Sequence, residues 1–150
     1  VPVSILLSGG IDSGIITKIT DELIDDHKLN AAGVTAFSAV FPGFIYDESK
    51  SVSELLKKCR HINSVLLNPD QKNLLESIIS FIYGMGEPVF STSSFAHYTL
   101  MKEIGSRNIK VVLNGQGADE SWCGYGKYII GYYLLDLLFS KPGDIIPQIK

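Results

Sequence analysis

Short β-branched runs that stop at glycine or proline, each followed by a segment whose apolar residues recur every three or four positions, leave few folds open to this chain. Val3 to Leu7 is the first such run. Gly9 and Gly10 break it, and Ile15, Ile16, Ile19 and Leu23 then form a helical stripe ending near His27. A second strand is expected from Ala32 to Val40, before a loop holding Pro42 and Gly43. Val52, Leu55, Leu56 and Cys59 follow at the spacing of a core-facing helical seam. Ile62 to Leu67 reads as the third strand, and Asn68-Pro69-Asp70 as a turn that starts the helix of Leu74, Leu75, Ile78, Ile79 and Ile82. Gly84, Gly86 and Pro88 end that helix, and Ser91 to Ser94 offer N-caps for another through Phe95, Tyr98 and Met101. Ile109 to Leu113 is continuously apolar, the pattern of a central parallel strand buried on both faces. From about Lys127 to Phe139 the period is helical but apolar nearly all round, which reads as packing surface.

The order β-α-β-α-β-α-α-β-α predicts an α/β fold, a doubly wound, mostly parallel sheet flanked by helices. Ligands of such sheets gather at the carboxyl ends of the strands. The glycine loops after the first and last strands therefore become neighbours if those two strands lie side by side.

Length and composition narrow the class further. The 150 residues suit one domain, and 45% hydrophobic with 19% charged residues exclude disorder. A balance of 13 basic and 16 acidic residues argues against nucleic acid as a partner. Cys59 and Cys123 are far apart and lack neighbours at metal-ligand spacing, so neither a zinc site nor a disulfide framework is indicated and a reducing, cytoplasmic setting is expected. Tyr128 to Phe139 is interrupted by Asp136 and is well short of the about 20 residues of a membrane span, so no membrane partner is expected. The first residue is Val1 and not Met, which leads us to expect a fragment or processed product.

Ser8-Gly9-Gly10-Ile11-Asp12-Ser13 lies between a strand and a helix, where backbone N–H groups and the positive end of the helix dipole can hold an anion. Glycine allows close approach of the backbone, and Ser8 and Ser13 add hydroxyl donors. The Lys of a Walker A loop and the third glycine of a dinucleotide fingerprint are both missing. Asp12 would repel phosphate oxygens unless a cation stood between them, which a Mg²⁺ ion would resolve. The plainer alternative is a β-α turn with a favourable first-turn acid. Asn114-Gly115-Gln116-Gly117-Ala118-Asp119-Glu120 repeats the pattern after the last strand, and Asp119 is expected near Asp12 as a second metal ligand.

Together these residues resemble a family. Ser8 to Ser13, SGGIDS, is similar to the pyrophosphate loop of the ATP pyrophosphatases, and Gly115 to Glu120, GQGADE, followed by Gly124-Tyr125, is similar to the second signature of the asparagine synthetase branch. Phe41-Pro42-Gly43, Asp47-Glu48 opening a helix, Glu87-Pro88 and Val111-Val112-Leu113 add to the resemblance, which covers about residues 3 to 127. It implies an enzyme that uses ATP to adenylate a carboxylate, the side chain of aspartate in asparagine synthetases, releases pyrophosphate, and lets ammonia from a glutaminase domain attack. By position, Ser8, Gly9, Gly10, Asp12 and Ser13 would hold pyrophosphate, and Asp12 and Asp119 would ligate Mg²⁺. Backbone around Leu6, Leu7, Ala39, Asn114 and Gly115 would contact adenosine, with Glu120 a weaker member of the acidic cluster. A homodimer is compatible with the full-length enzyme.

Gln116 stands where some members carry Glu; an amide is no base at neutral pH, so it is expected to orient substrate. Cys123 stands where Gly is more frequent, and it is expected, like Cys59, to be a packed small residue. His27, His61 and His97 share no motif and read as solvated or capping, His27 at a helix C-terminus. Ser91 to Ser94 read as N-caps, with binding of a substrate carboxylate as the alternative. The resemblance also implies a glutaminase domain upstream and a helical half downstream whose Lys no residue here matches; neither Lys127 nor Lys141 takes its role. A related β-lactam or peptide-cyclising synthetase, or a nucleotide-binding module without turnover, are the other readings of the same motifs.

Overall fold

A computed structural model describes residues 1–26, 33–89 and 91–140. His27 as a helix end, Ala32 as a strand start and Lys141 lie outside the described residues. The chain divides into two compact units, Val1–Gly115 and Gln116–Lys150.

The first unit is built on four parallel strands: β1 (Val3–Leu6), β2 (Val34–Ala39), β3 (Ile62–Leu67) and β4 (Val111–Leu113), in the order β3-β2-β1-β4. Ile5 sits beside Ala36 on one side and Leu113 on the other, so β1 and β4 are neighbours, which is the condition for their glycine loops to lie together. Between the strands run α1 (Ile11–Asp25), α2 (Ser49–Leu56), α3 (Gln71–Met85) and α4 (Thr92–Ser106). The alternation of β1 and β2 divides the core between the two faces of the sheet. Ile5, Leu7, Val34 and Ala36 face Val52, Ile16, Ile24, Leu55 and Leu56 of α1 and α2. Phe37 and Leu6 turn the other way, against Leu100 and Ile104 of α4. The doubly wound α/β architecture is therefore the one the sequence pattern predicts.

Several elements depart from expectation. Only part of the predicted stripe of α1 faces inward: Ile16 packs on the core and Leu23 is half-buried, but Ile15 and Ile19 are about half exposed, at 52% and 51%, and the fully buried positions are Ser13, Thr17, Thr20 and Asp21. Thr17 and Thr20 donate to the carbonyls of Ser13 and Ile16 at 2.8 and 2.7 Å, which satisfies each hydroxyl within the helix. Helix α2 ends at Leu56, so Cys59 lies in the following turn, half-buried, and its thiol donates to the Leu55 carbonyl. Strand β4 is an edge strand of the described sheet and not a doubly buried one, with Val111 and Leu113 both exposed. Gly84 lies inside α3, and Gly86 alone ends the helix, in the left-handed conformation at φ 73°.

The turn chemistry otherwise follows the sequence. Asp70 caps α3 by accepting from the Asn73 N–H at 2.7 Å, and Ser91 caps α4 by accepting from the Ser93 N–H at 3.2 Å. Capping therefore accounts for Ser91. In the second unit, a short helix α5 (Ala118–Trp122) precedes α6 (Gly126–Ser140). Most of the apolar side chains of α6 are exposed, from Leu134 at 41% to Phe139 at 85%. No helix among the described residues is long and apolar enough to cross a membrane.

Candidate active site

The parallel strands bring the ends of β1, β2 and β4 to one edge of the sheet, and β1 is the strand from which the chain winds to both sides. Leu7, just past β1, donates its N–H to the Phe37 carbonyl at 2.9 Å and is buried. Ser8, Gly9 and Gly10 then emerge exposed above the sheet, before α1 begins. Gly10 takes the N-cap position in an extended conformation, and no side chain caps the helix. The first turn of α1 thus presents its N–H groups at the sheet edge with the positive end of its dipole.

The loop holds its shape through its own serines. Ser13 is 5% exposed. Its hydroxyl oxygen accepts the Ser8 N–H at 3.2 Å, lies 2.9 Å from the Ser8 hydroxyl, and can donate to the carbonyl of Ser8 or Gly10. The Gly10 N–H donates to Ser8 Oγ at 3.2 Å. Ser13 is therefore committed to the inside of the turn, and the exposed Ser8 is the hydroxyl better placed to meet a ligand.

Two glycines are required by close approach. A Cβ at Gly115 would stand 2.9 Å from the Ser13 nitrogen and 3.0 Å from Asp12 Cβ, so the backbone just beyond β4 lies directly on the first turn of α1. A Cβ at Gly9 would stand 2.8 Å from Glu48 Cβ and 3.1 Å from Ser51 Cβ. Glu48 also accepts the Gly9 N–H on Oε2 at 3.1 Å. The sequence pattern placed Glu48 at a helix start and missed this contact. The signal was the pair Asp47-Glu48 itself, since one acid suffices to cap a helix.

Asp47 is that cap. Its Oδ1 accepts from the N–H groups of Phe41 and Ser49, and its Oδ2 from the Ser49 hydroxyl at 2.6 Å. The Ser49 hydroxyl and these N–H donors hold the Asp47 carboxyl below the usual carboxylate range. Asp12, half-buried in the first turn of α1, and Leu6 and Ala39, at the ends of β1 and β2, complete the residues expected around a nucleotide in this unit, with exposed Asn114 after β4.

The rest of the second signature belongs to the second unit. Gly117 caps α5 at φ 90°, with Asp119 and Glu120 in the first turn. The Gly124 N–H donates to the Asp119 carbonyl at 2.8 Å, and any Cβ at Gly124 would overlap the Asp119 carboxylate. The Tyr125 hydroxyl donates to Glu120 Oε1 at 3.3 Å, and the Glu120 charge pushes the Tyr125 phenol up. Asp119, Glu120, Cys123, Tyr125, Tyr128, Ile129 and Tyr132 surround a cavity of about 650 Å³. Cys123 is exposed and not packed, and it ends α5 in the left-handed conformation at φ 59°, which explains why glycine suits this position. His97 is exposed, as a solvated histidine is, whereas His61 is half-buried and pairs with Asp25, its Nε2 3.2 Å from Oδ1, in place of the expected solvated or capping role.

The donor set fits a polyphosphate: helix N–H groups without a side-chain cap, an exposed hydroxyl, and glycines whose missing Cβ atoms bring two loops together. It fits a metal ion only in company. Among the described residues no group of three or more His, Cys, Asp or Glu side chains could hold one. Asp12, half-buried in the first turn of α1, could offer one carboxylate to a cation that also bound phosphate oxygens.

Comparison with known proteins identifies the family. The asparagine synthase family model matches residues 1–135. The putative asparagine synthetase [glutamine-hydrolyzing] 2 of Methanocaldococcus jannaschii is 33% identical over 134 residues, 88% of this chain and 24% of that protein. Asparagine synthetase [glutamine-hydrolyzing] 1 of Bacillus subtilis is 30% identical over 150 residues, 99% of this chain and 21% of its own length. Asparagine synthetase B [glutamine-hydrolyzing] of Escherichia coli is 29% identical over 134 residues, 83% of this chain and 24% of its own. The chain thus spans about a quarter of the length of the curated relatives it matches. With SGGIDS opening α1, GQGADE opening α5 and a family match that runs through both, the chain belongs to the asparagine synthase family.

Proposed function

We propose that this chain is the nucleotide-binding part of a ligase that makes an amide from a carboxylate and ammonia with the energy of ATP. The observation that carries the reading is the N-terminus of α1, without a side-chain cap, at the carboxyl edge of the sheet with the Gly115 backbone laid against it. ATP binds there with its β- and γ-phosphates over Ser8 to Ser13 and its adenosine along the backbone of Leu6, Leu7, Ala39, Asn114 and Gly115. An oxygen of the acceptor carboxylate attacks the α-phosphorus, the bond to the bridging oxygen breaks, and pyrophosphate leaves with the electron pair. Charge that builds on the leaving group is met by the N–H groups of the loop and the dipole of α1, already oriented before the reaction. Ammonia then attacks the acyl carbon, AMP departs, and one proton is lost to solvent.

Asp12 and, in the second unit, Asp119 are each proposed to ligate Mg²⁺, which when bound would neutralise phosphate charge and polarise the transferred group. Gln116 orients the substrate, because its amide accepts no proton at neutral pH. Aspartate as acceptor and glutamine as nitrogen source are supported by the names of the relatives. A reducing cytoplasm fits the free thiols Cys59 and Cys123.

Two measurements test this reading. Full-length enzyme given aspartate, glutamine, ATP and Mg²⁺ is expected to form AMP and pyrophosphate, with ATP–pyrophosphate exchange dependent on aspartate alone in a panel of carboxylates. Exchange driven by a different carboxylate would move the enzyme to another acceptor, and none at all would sink the assignment. Asp12→Asn is expected to weaken Mg-ATP binding by roughly tenfold, the loss of a contact worth about 1.4 kcal/mol. Equal affinity with metal present would rule out Asp12 as its ligand.

A further inference from the structure

Of the three N–H groups at the turn of the phosphate loop, two are answered from within it. The Ser8 N–H goes to Ser13 Oγ and the Gly10 N–H to Ser8 Oγ. The Gly9 N–H is answered from outside, by the carboxylate of Glu48, the N-cap residue of α2. Glu48 is available because its neighbour Asp47 already receives the Phe41 and Ser49 donors, and no side-chain cap bond forms from Glu48 to its own helix. The approach is intimate, since both Glu48 Cβ and Ser51 Cβ press on the place where a Gly9 side chain would begin. A glycine is needed there for room.

We propose that Glu48 is an in-built competitor for the phosphate loop: its carboxylate holds the Gly9 N–H in the free protein, is displaced by the nucleotide's phosphate, and returns as pyrophosphate leaves. The inference rests on the nucleotide reading given above. A carboxylate on a loop N–H stands where an anionic ligand's oxygen would stand, and the two charges repel at that distance. Glu48 is exposed, so its side chain can swing into water without stranding a buried charge. The loop thus never loses its partner: carboxylate and phosphate alternate on one donor. Expulsion of the carboxylate weakens ATP binding modestly, and its return assists release of a product that would otherwise be held by every donor that stabilised it.

The test is calorimetric titration of the full chain with inorganic pyrophosphate and, separately, with ATP, each with Mg²⁺, for wild type, Glu48→Gln and Glu48→Ala. Glutamine keeps an acceptor for the Gly9 N–H and removes the charge; alanine removes both. Competition predicts that both variants bind pyrophosphate more tightly, by about two- to fivefold, with slower pyrophosphate dissociation in stopped flow. A merely structural clamp predicts glutamine equal to wild type and alanine weaker, and that pattern overturns the proposal, as does weaker binding in both. If pyrophosphate follows the predicted order but ATP binds to none of the three, the nucleotide reading falls and the competitor stands. If ATP binds to all three equally, only the competitor falls; if neither anion binds any of them, both fall. Amide spectra of the glutamine variant that match wild type outside residues 8–10 and 47–52 establish that it is folded.

Discussion

Cys123 holds a backbone conformation that a side chain with a Cβ adopts only at an energetic penalty, and it does so at the end of a helix of five residues, Ala118–Trp122. Its sulfur is exposed, so little packing offsets that penalty. Cys123→Gly is therefore expected to stabilise the protein by about 0.5–1 kcal/mol, the relief of left-handed strain less the extra entropy of a glycine in the unfolded chain. Urea denaturation under reducing conditions measures it, and a loss of stability would mean that the thiol packs after all. Cys59 differs in kind. Burial pushes its thiol up, and Asp21 nearby adds to that, so it stays protonated and is expected to be alkylated more slowly than exposed Cys123. At this scale the sequence was legible wherever a residue acts on its own backbone: Asp70 and Ser91 as caps, Gly86 as a helix stop. It was illegible where the partner is distant in the chain, as for Glu48 and Gly9, because spacing carries no information about which loop an exposed acid will meet.

Elements were legible by period, with failures at the sheet-facing side of α1 and at both faces of β4. Threonine does not register as apolar, yet Thr17 and Thr20 bury their methyl groups once their hydroxyls are returned to the helix. Asp21, on the same face, ties α1 to the start of β3 by accepting the N–H groups of Arg60 and His61 at 2.9 and 2.8 Å. Burial raises its carboxyl, but those two N–H groups, with Lys18 and His61 beside it, more than reverse this and leave it below the ordinary value of 3.8. Asp47 is lowered likewise at the start of α2. A carboxylate whose folded value lies below its unfolded one stabilises the fold fully above the unfolded value, and that contribution is lost as pH falls through the folded value. Stability is thus expected to be flat above about pH 5 and to decline below the ordinary carboxylate value. Urea midpoints taken from pH 6 to pH 3 should fall less steeply for Asp21→Asn with Asp47→Asn than for wild type. Parallel curves would show that neither carboxylate drives the acid loss.

Across the whole molecule, burial is distributed unevenly between the units. In Val1–Gly115 the interior strands β1 and β2 carry Ile5, Ala36 and Phe37, all fully buried, between helices on both faces. In the second unit none of the described residues is buried. The doubly wound order was readable because it rests on local periods and on which strand ends carry glycine, whereas burial in α6 was not: an all-apolar helix reads the same whether covered or bare. Local opening costs free energy in proportion to the apolar surface it exposes, so amides of the two units should differ widely in hydrogen exchange. The slowest exchange is expected at Ile5, Leu6, Ala36 and Phe37, and α6 should exchange orders of magnitude faster despite its regular helical hydrogen bonds. Addition of Mg-ATP should slow exchange further at Gly9 to Ser13, where the nucleotide's phosphates displace water from the loop, and leave β3 unchanged. Equal protection in α6 and β2 would show that the second unit is covered in solution. Unaltered exchange at Gly9 to Ser13 under saturating Mg-ATP would remove the phosphate loop from the site, however well its sequence fits.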